Sequence, residues 1–148
     1  GQGRADSDAH KELPIIKTDK HSLASFDYIP FAVLSQHFQG SLWGMVGHCL
    51  YESLDNDFPA SLSQKIIREI IRGVINFDGF LLSDDISMGA LKPYGDIVEI
   101  SQKTLAAGCD AVLYCKGEFK DMEILAAELP SLRPTSEARF RTQFSGAS

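Results

Sequence analysis

The 148-residue sequence has no apolar run approaching the roughly 20 residues that a bilayer-spanning helix needs, which excludes a membrane-embedded segment within it. It has no basic stripe either. With 14 Lys and Arg against 20 Asp and Glu, the net charge is −6, a poor match for a phosphate backbone, and nucleic acid is excluded as a partner. Cysteine is scarce: Cys49, Cys109 and Cys115 are odd in number, lie in apolar or strand-like contexts and lack C-x-x-C spacing, so buried reduced thiols and a cytoplasmic location are expected. His10, His21, His37 and His48 show neither the helical i, i+4 pairing nor the cysteine partners of zinc sites, and no metal site emerges. The glycines at Gly1, Gly3 and Gly40 form no phosphate-cradling fingerprint, and no cofactor is implied.

What is present suits a folded α/β domain. Residues 1 to about 18 read as a polar loop punctuated by Pro14. Phe26, Ile29, Pro30, Val33 and Leu34 mark an apolar stripe on a helix ending near Gly40, and Leu42 to Val46 forms a short strand with Gly47 and His48 at its end. Tyr51 to Ala60 reads as a connecting loop. Ser61 or Ser63 can cap an amphipathic helix whose apolar face is Ile66, Ile67, Ile70, Ile71 and Val74. After a turn at Asn76 to Gly79, Phe80 to Leu82 predicts a strand and Ser83 to Met88 its end loop. A helix from Asp96 to Ala107 closes on Gly108 as a left-handed cap, Ala111 to Cys115 is a third strand, and Glu118 to Leu129 a further helix. Pro130 and Pro134 then break the pattern, and a polar tail with helical character around Glu137 to Phe144 runs to Ser148. Strand and helix alternating at this rhythm predict βα units and a parallel sheet.

Two polar clusters carry the chemistry. Gly79 to Gly89 reads G-F-L-L-S-D-D-I-S-M-G, an apolar run ending abruptly in Ser83, Asp84 and Asp85. Carboxylates at the carboxyl end of a parallel strand are where barrel enzymes place reactive groups. The opening segment, G-Q-G-R-A-D-S-D-A-H-K-E-L-P, supplies Asp6, Asp8 and His10. A carboxylate that attacks carbon and an imidazole that shuttles a proton are the minimum kit for double displacement. Local sequence alone favours a plainer role for Asp84 or Asp85 as a helix cap, and for His10 as a solvated loop histidine.

In order and spacing, the opening motif, M-V-G-H ending at His48, F-D-G-F-L-L-S-D-D-I-S-M-G-A and A-G-C-D-A-V-L-Y-C together resemble the β-N-acetylglucosaminidases of glycoside hydrolase family 3, of the NagZ type. The resemblance runs from Gly1 to about Leu132. It implies a retaining glycosidase that removes terminal β-linked N-acetylglucosamine from muropeptides during peptidoglycan recycling in the cytoplasm. It implies that Asp84 is the nucleophile and that His10 is the general acid/base, oriented by Asp8. His48, Met88 and Arg4 become candidates for lining the sugar site. Each has a plainer alternative: a packed histidine, a core methionine, and an arginine that ties down a loop. Gln2 departs from the histidine frequent at its position in the family.

A TIM (β/α)8 barrel needs about 250 residues. The 148 residues here correspond to units five to eight without the fifth strand, residues 1–132, followed by the polar tail of residues 133–148. The family's K-H-F-P-G segment, whose lysine and histidine hold the sugar, would precede Gly1. The sequence therefore reads as the carboxyl-terminal half of a longer protein, with a carbohydrate substrate and either an amino-terminal half or self-association as its partner. Two alternatives stand beside catalysis: a silent half-barrel acting as an assembly component, and a family relative with glucosidase or phosphorolytic chemistry. Unpaired strand edges predict a marginal or self-associating isolated chain.

Overall fold

The computed structural model describes residues 2–38 and 42–142. In chain order these form β1 (Ile15–Ile16), α1 (Lys20–Ser22), a π-helical segment (Leu23–Asp27), α2 (Ile29–Phe38), β2 (Trp43–Val46), β3 (Leu50–Tyr51) and a π-helix (Ile66–Val74). There follow β4 (Phe80–Asp85), a 3-10 helix (Gly89–Tyr94), α3 (Ile97–Ala107), β5 (Ala111–Leu113), α4 (Phe119–Glu128) and α5 (Pro134–Thr142). A three-stranded sheet runs β2-β4-β5 and a two-stranded one pairs β1 with β3; both are parallel. Among the described residues no helix is long and apolar enough to cross a membrane.

The sheet separates two environments. Leu81 faces the helices, packed with Val46, Ile67, Ala107 and Cys109, while Phe80 on the opposite face stacks its ring against Trp43 and Phe140. Alternation along parallel strands produces this division. Met45 follows Trp43 on the second face, and the two remain 58% and 47% exposed; the outer edges of the sheet, on β2 and β5, have no strand partner among the described residues.

Helix ends follow local chemistry. Asp96 caps α3 by accepting from the Val98 and Glu99 amides, Glu99 reciprocates in a capping box, and Gly108 closes the helix at a φ of +124° that disfavours a side chain. Ser63, rather than Ser61, caps the helix that continues as the π-helix Ile66–Val74: its Oγ accepts from the Ile66 amide at 3.0 Å and donates to Asp55 at 2.6 Å. Ser63→Ala should therefore cost about 1 to 2 kcal/mol, read as a lowered urea midpoint at unchanged slope.

Several expectations need correction. The opening segment is not loop throughout, since Ile15 and Ile16 pair with Leu50 and Tyr51; a two-residue ladder is too short to show a period. Helical structure ahead of the apolar stripe begins at Lys20, where Asp19 accepts from both the amide and the hydroxyl of Ser22. The apolar stripe that follows stays largely exposed, Phe26 at 70% and Val33 at 58%, while Leu23 just before it is buried. The strand begun at Phe80 extends through Asp85, and the one begun at Ala111 stops at Leu113. Within the stretch read as a polar tail, α5 docks beneath the sheet through Ser136 and Arg139 on Asp110. The expected ends at Gly40 and Phe144 lie outside the described residues.

Candidate active site

The carboxyl ends of β2 and β4 meet through a buried histidine. His48 has no exposed surface; its Nε2 donates to the Asp85 carbonyl at 3.0 Å, so Nδ1 is the acceptor of the Ser61 hydroxyl at 2.7 Å. The ring thus couples two loops and keeps no nitrogen free. Burial lowers its pKa below the ordinary imidazole value, against the opposing pull of the Asp85 carbonyl and the Asp84 and Asp85 carboxylates. A histidine held neutral in the fold contributes stability above the unfolded value of about 6.5, and that contribution is lost as pH falls below it. Urea midpoints should fall between pH 7 and pH 5.5, and His48→Gln should flatten that dependence; an unchanged slope would show that His48 is not the group responsible.

Asp84 and Asp85 sit at a register shift. Leu82 pairs with Ala111 and Asp85 with Leu113, so three steps on β4 face two on β5. Such bulges re-aim side chains at sheet ends. Ser83 repairs the ladder there, its buried Oγ accepting from the Leu113 amide at 3.2 Å. Asp85 binds the neighbouring loops, accepting from the Ser87 amide and hydroxyl and from the Cys115 amide. Burial pushes the Asp85 carboxyl up, but those donors outweigh it and hold the group below the usual carboxylate value. Asp84 is half-buried at the strand exit, and the protein contact of its carboxylate is the Asp85 amide at 2.8 Å. No helix begins at Asp84 or Asp85, and the 3-10 helix starts at Gly89 with Met88 preceding it.

The opening segment crosses to this exit. Asp8 Oδ1 accepts from the His10 amide at 3.0 Å and from Nδ1 at 2.9 Å. A carboxylate only accepts, so Nδ1 carries the proton and Nε2 is left to exchange one. The same two bonds, first the amide and then the ring, hold the Asp8 carboxyl below its ordinary value. Both side chains are open, 77% exposed for His10 and 50% for Asp8. Beneath them Ala9, Met88 and Ala90 form a small buried cluster with Leu13. Met88 is 5% exposed and serves this packing. Arg4 stands apart, its Nε donating to both oxygens of Asp27 at 2.8 and 2.9 Å, and Gln2 lies against Gly47.

The structure thus brings Asp8, His10, Met88, Asp84 and His48 to one end of the sheet and leaves Arg4 at its margin. Sequence reasoning missed the coupling roles of Ser61 and Ser83; for Asp85 it left open orienting its neighbours or capping a helix, and the structure shows the former. The one available signal was a pair of serines where a single helix cap was needed. Among the described residues no group of three or more His, Cys, Asp or Glu is arranged to hold a metal ion.

Residues 1–144 match the N-terminal domain of glycosyl hydrolase family 3. The chain belongs to this family. The beta-hexosaminidase of Pseudomonas aeruginosa is 33% identical over 141 residues, which is 95% of this chain and 41% of that protein. Among solved structures, NagZ from Neisseria gonorrhoeae, in complex with N-trifluoroacetyl-D-glucosamine, superposes with a TM-score of 0.76 at 27% identity, covering 97% of this chain and 40% of its own. LpqI of M tuberculosis gives 0.80 at 28% identity, covering 97% and 45%. The family 3 chain therefore spans about two fifths of the length of the curated relatives it matches, and its parallel strands alternating with helices match the α/β, TIM-barrel-like domain of the family.

Proposed function

We propose that this chain carries the nucleophile and the acid/base group of a retaining β-N-acetylglucosaminidase. One observation supports the reading most: the segment carrying the Asp8–His10 pair is bonded to Gly89 and Ala90, just beyond the end of the strand that carries Asp84, and Asp8 holds Nδ1 of His10, which leaves Nε2 to exchange a proton. Asp84 attacks the anomeric carbon as His10 protonates the departing oxygen, which leaves a covalent glycosyl-enzyme. His10 then takes a proton from water as the water displaces Asp84. Asp8 keeps the ring in the tautomer this exchange requires. His48 acts on the site through the Asp85 carbonyl, Met88 supports the loop from below, and Arg4 anchors the loop to Asp27.

Relatives named beta-hexosaminidases, and a neighbour solved with an N-acylated glucosamine, support N-acetylglucosamine as the sugar. Muropeptides in peptidoglycan recycling are the proposed source. A cytoplasmic setting accords with three free thiols, two of them buried, with burial pushing Cys109 up to about 12. A second reading draws on the open face around Trp43 and Met45 and on the edges of the three-stranded sheet, at β2 and β5, which have no strand partner among the described residues. In it the chain is silent alone and becomes active when an amino-terminal half completes the barrel.

Turnover of a chromogenic β-N-acetylglucosaminide by the chain alone, and after addition of a family 3 amino-terminal half, tests both. The mixture should release N-acetylglucosamine with retained configuration. Activity of the chain alone would remove the second reading, and inert mixtures that nonetheless form a stable complex would remove the first.

A further inference from the structure

The proposed acid/base loop is fastened to the nucleophile strand by main-chain bonds. The Gly89 amide donates to the His10 carbonyl at 3.0 Å and the Ala90 amide to the Ala9 carbonyl at 3.1 Å. Gly89 lies five positions after Asp84, at the start of the 3-10 helix. A Cβ built on Gly89 would lie 2.5 Å from the Lys11 carbonyl oxygen, 2.6 Å from that of His10 and 2.8 Å from the Lys11 carbonyl carbon. All three are backbone atoms, so no rotamer change relieves the clash. Gly89 is absent from the positive-φ glycines Gly95, Gly108 and Gly117, so space and not backbone conformation requires it. Ala9 and Ala90, 2% and 1% exposed, pack in the cluster that includes Met88, and displacing the loop would open that cluster.

We propose that Gly89 is a positioning residue that holds His10 at the exit of β4, through close contact between its backbone and the His10–Lys11 peptide. This rests on the acid/base reading of His10. Two features make the arrangement specific to that task. The bonds end on the carbonyls of His10 and of its immediate neighbour, and the rest of the His10 ring is free to face a substrate.

The test separates docking from chemistry. In the unmodified chain, hydrogen exchange should show the Gly89 and Ala90 amides protected; exchange at the rate of an open loop would overturn the clamp without any variant. In Gly89→Ala, trypsin should cut after Lys11 about tenfold faster or more. With the barrel completed, the variant should lose on the order of 10- to 100-fold in kcat on an unactivated glycoside and less than about threefold in the first step on one with a good leaving group, because misplacement of the acid matters only where a proton must be donated. A loosened loop with equal effects on both substrates would overturn the positioning role. His10→Ala, run alongside, distinguishes the two levels: if it leaves both substrates untouched, the acid/base reading itself falls, even where exchange and proteolysis show the clamp.

Discussion

Asp84→Asn should reduce glycoside turnover in the completed barrel by about three orders of magnitude or more, with no covalent glycosyl-enzyme detectable by mass spectrometry. The substitution removes the charge that attacks carbon, so both steps of double displacement fail. It leaves the local structure intact, because Oδ1 of asparagine accepts from the Asp85 amide as Oδ1 of Asp84 does at 2.8 Å. A helix-capping role predicts the opposite, since asparagine caps as well as aspartate. An unchanged melting curve with lost activity separates the two, and retained activity would remove Asp84 from the chemistry.

The acid/base variants should behave differently from the nucleophile variant. With His10→Ala, a substrate whose leaving group needs little proton donation still reacts in the first step, while attack by water slows and the glycosyl-enzyme accumulates. Asp8→Ala should give a milder form, because the ring loses its orienting partner at 2.9 Å and keeps its ability to move a proton. Equal loss on activated and unactivated substrates, with no trapped intermediate, would take His10 out of the role.

How far the sequence revealed these elements depends on which physical force shaped each one. Trp43 to Val46, Phe80 to Leu82 and Ala111 to Leu113 were legible because parallel strands read as short apolar runs bounded by turn residues, even though Trp43 and Met45 on one face are exposed. The continuation of β4 through Ser83, Asp84 and Asp85 was not, because polar residues hold it: the Ser83 hydroxyl stands in for a ladder bond. Asp84, Asp8 and His10 were legible as motif residues, whereas Gly89 looked like any loop glycine until the His10 and Lys11 carbonyls were found against it. The apolar stripe over Phe26, Ile29, Val33 and Leu34 was legible as a period, yet it stays exposed in the structure. Periodicity reports which residues share a helix face, and the packing partner of that face is a separate fact. Docking of α5 escaped for a related reason, since it is held by a buried carboxylate that carries no period at all.

That carboxylate supports the second large effect. Asp110 immediately precedes β5 with its side chain wholly enclosed, and four donors converge on it: Arg72 at 2.7 Å, the Leu81 amide at 2.9 Å, Ser136 at 2.6 Å and Arg139 at 3.2 Å. It thereby joins the π-helix, β4, β5 and α5 in one network, and Arg72 extends it by donating to the carbonyls of Phe77 and Gly79. Removing one partner of a buried ion pair leaves the other charge uncompensated, which costs about 3 to 5 kcal/mol. Folded domains are stable by only about 5 to 15 kcal/mol, so Asp110→Ala should consume a large share of the total. The urea midpoint should drop accordingly, and trypsin should gain access to Arg139 as α5 comes free. Arg72→Met added to Asp110→Ala should recover part of the loss, because two apolar side chains leave less buried charge unpaired than one orphaned guanidinium does. A loss below about 1 kcal/mol for Asp110→Ala would place the pair among weak surface contacts and leave α5 to be held by Phe140 against Trp43 and Phe80.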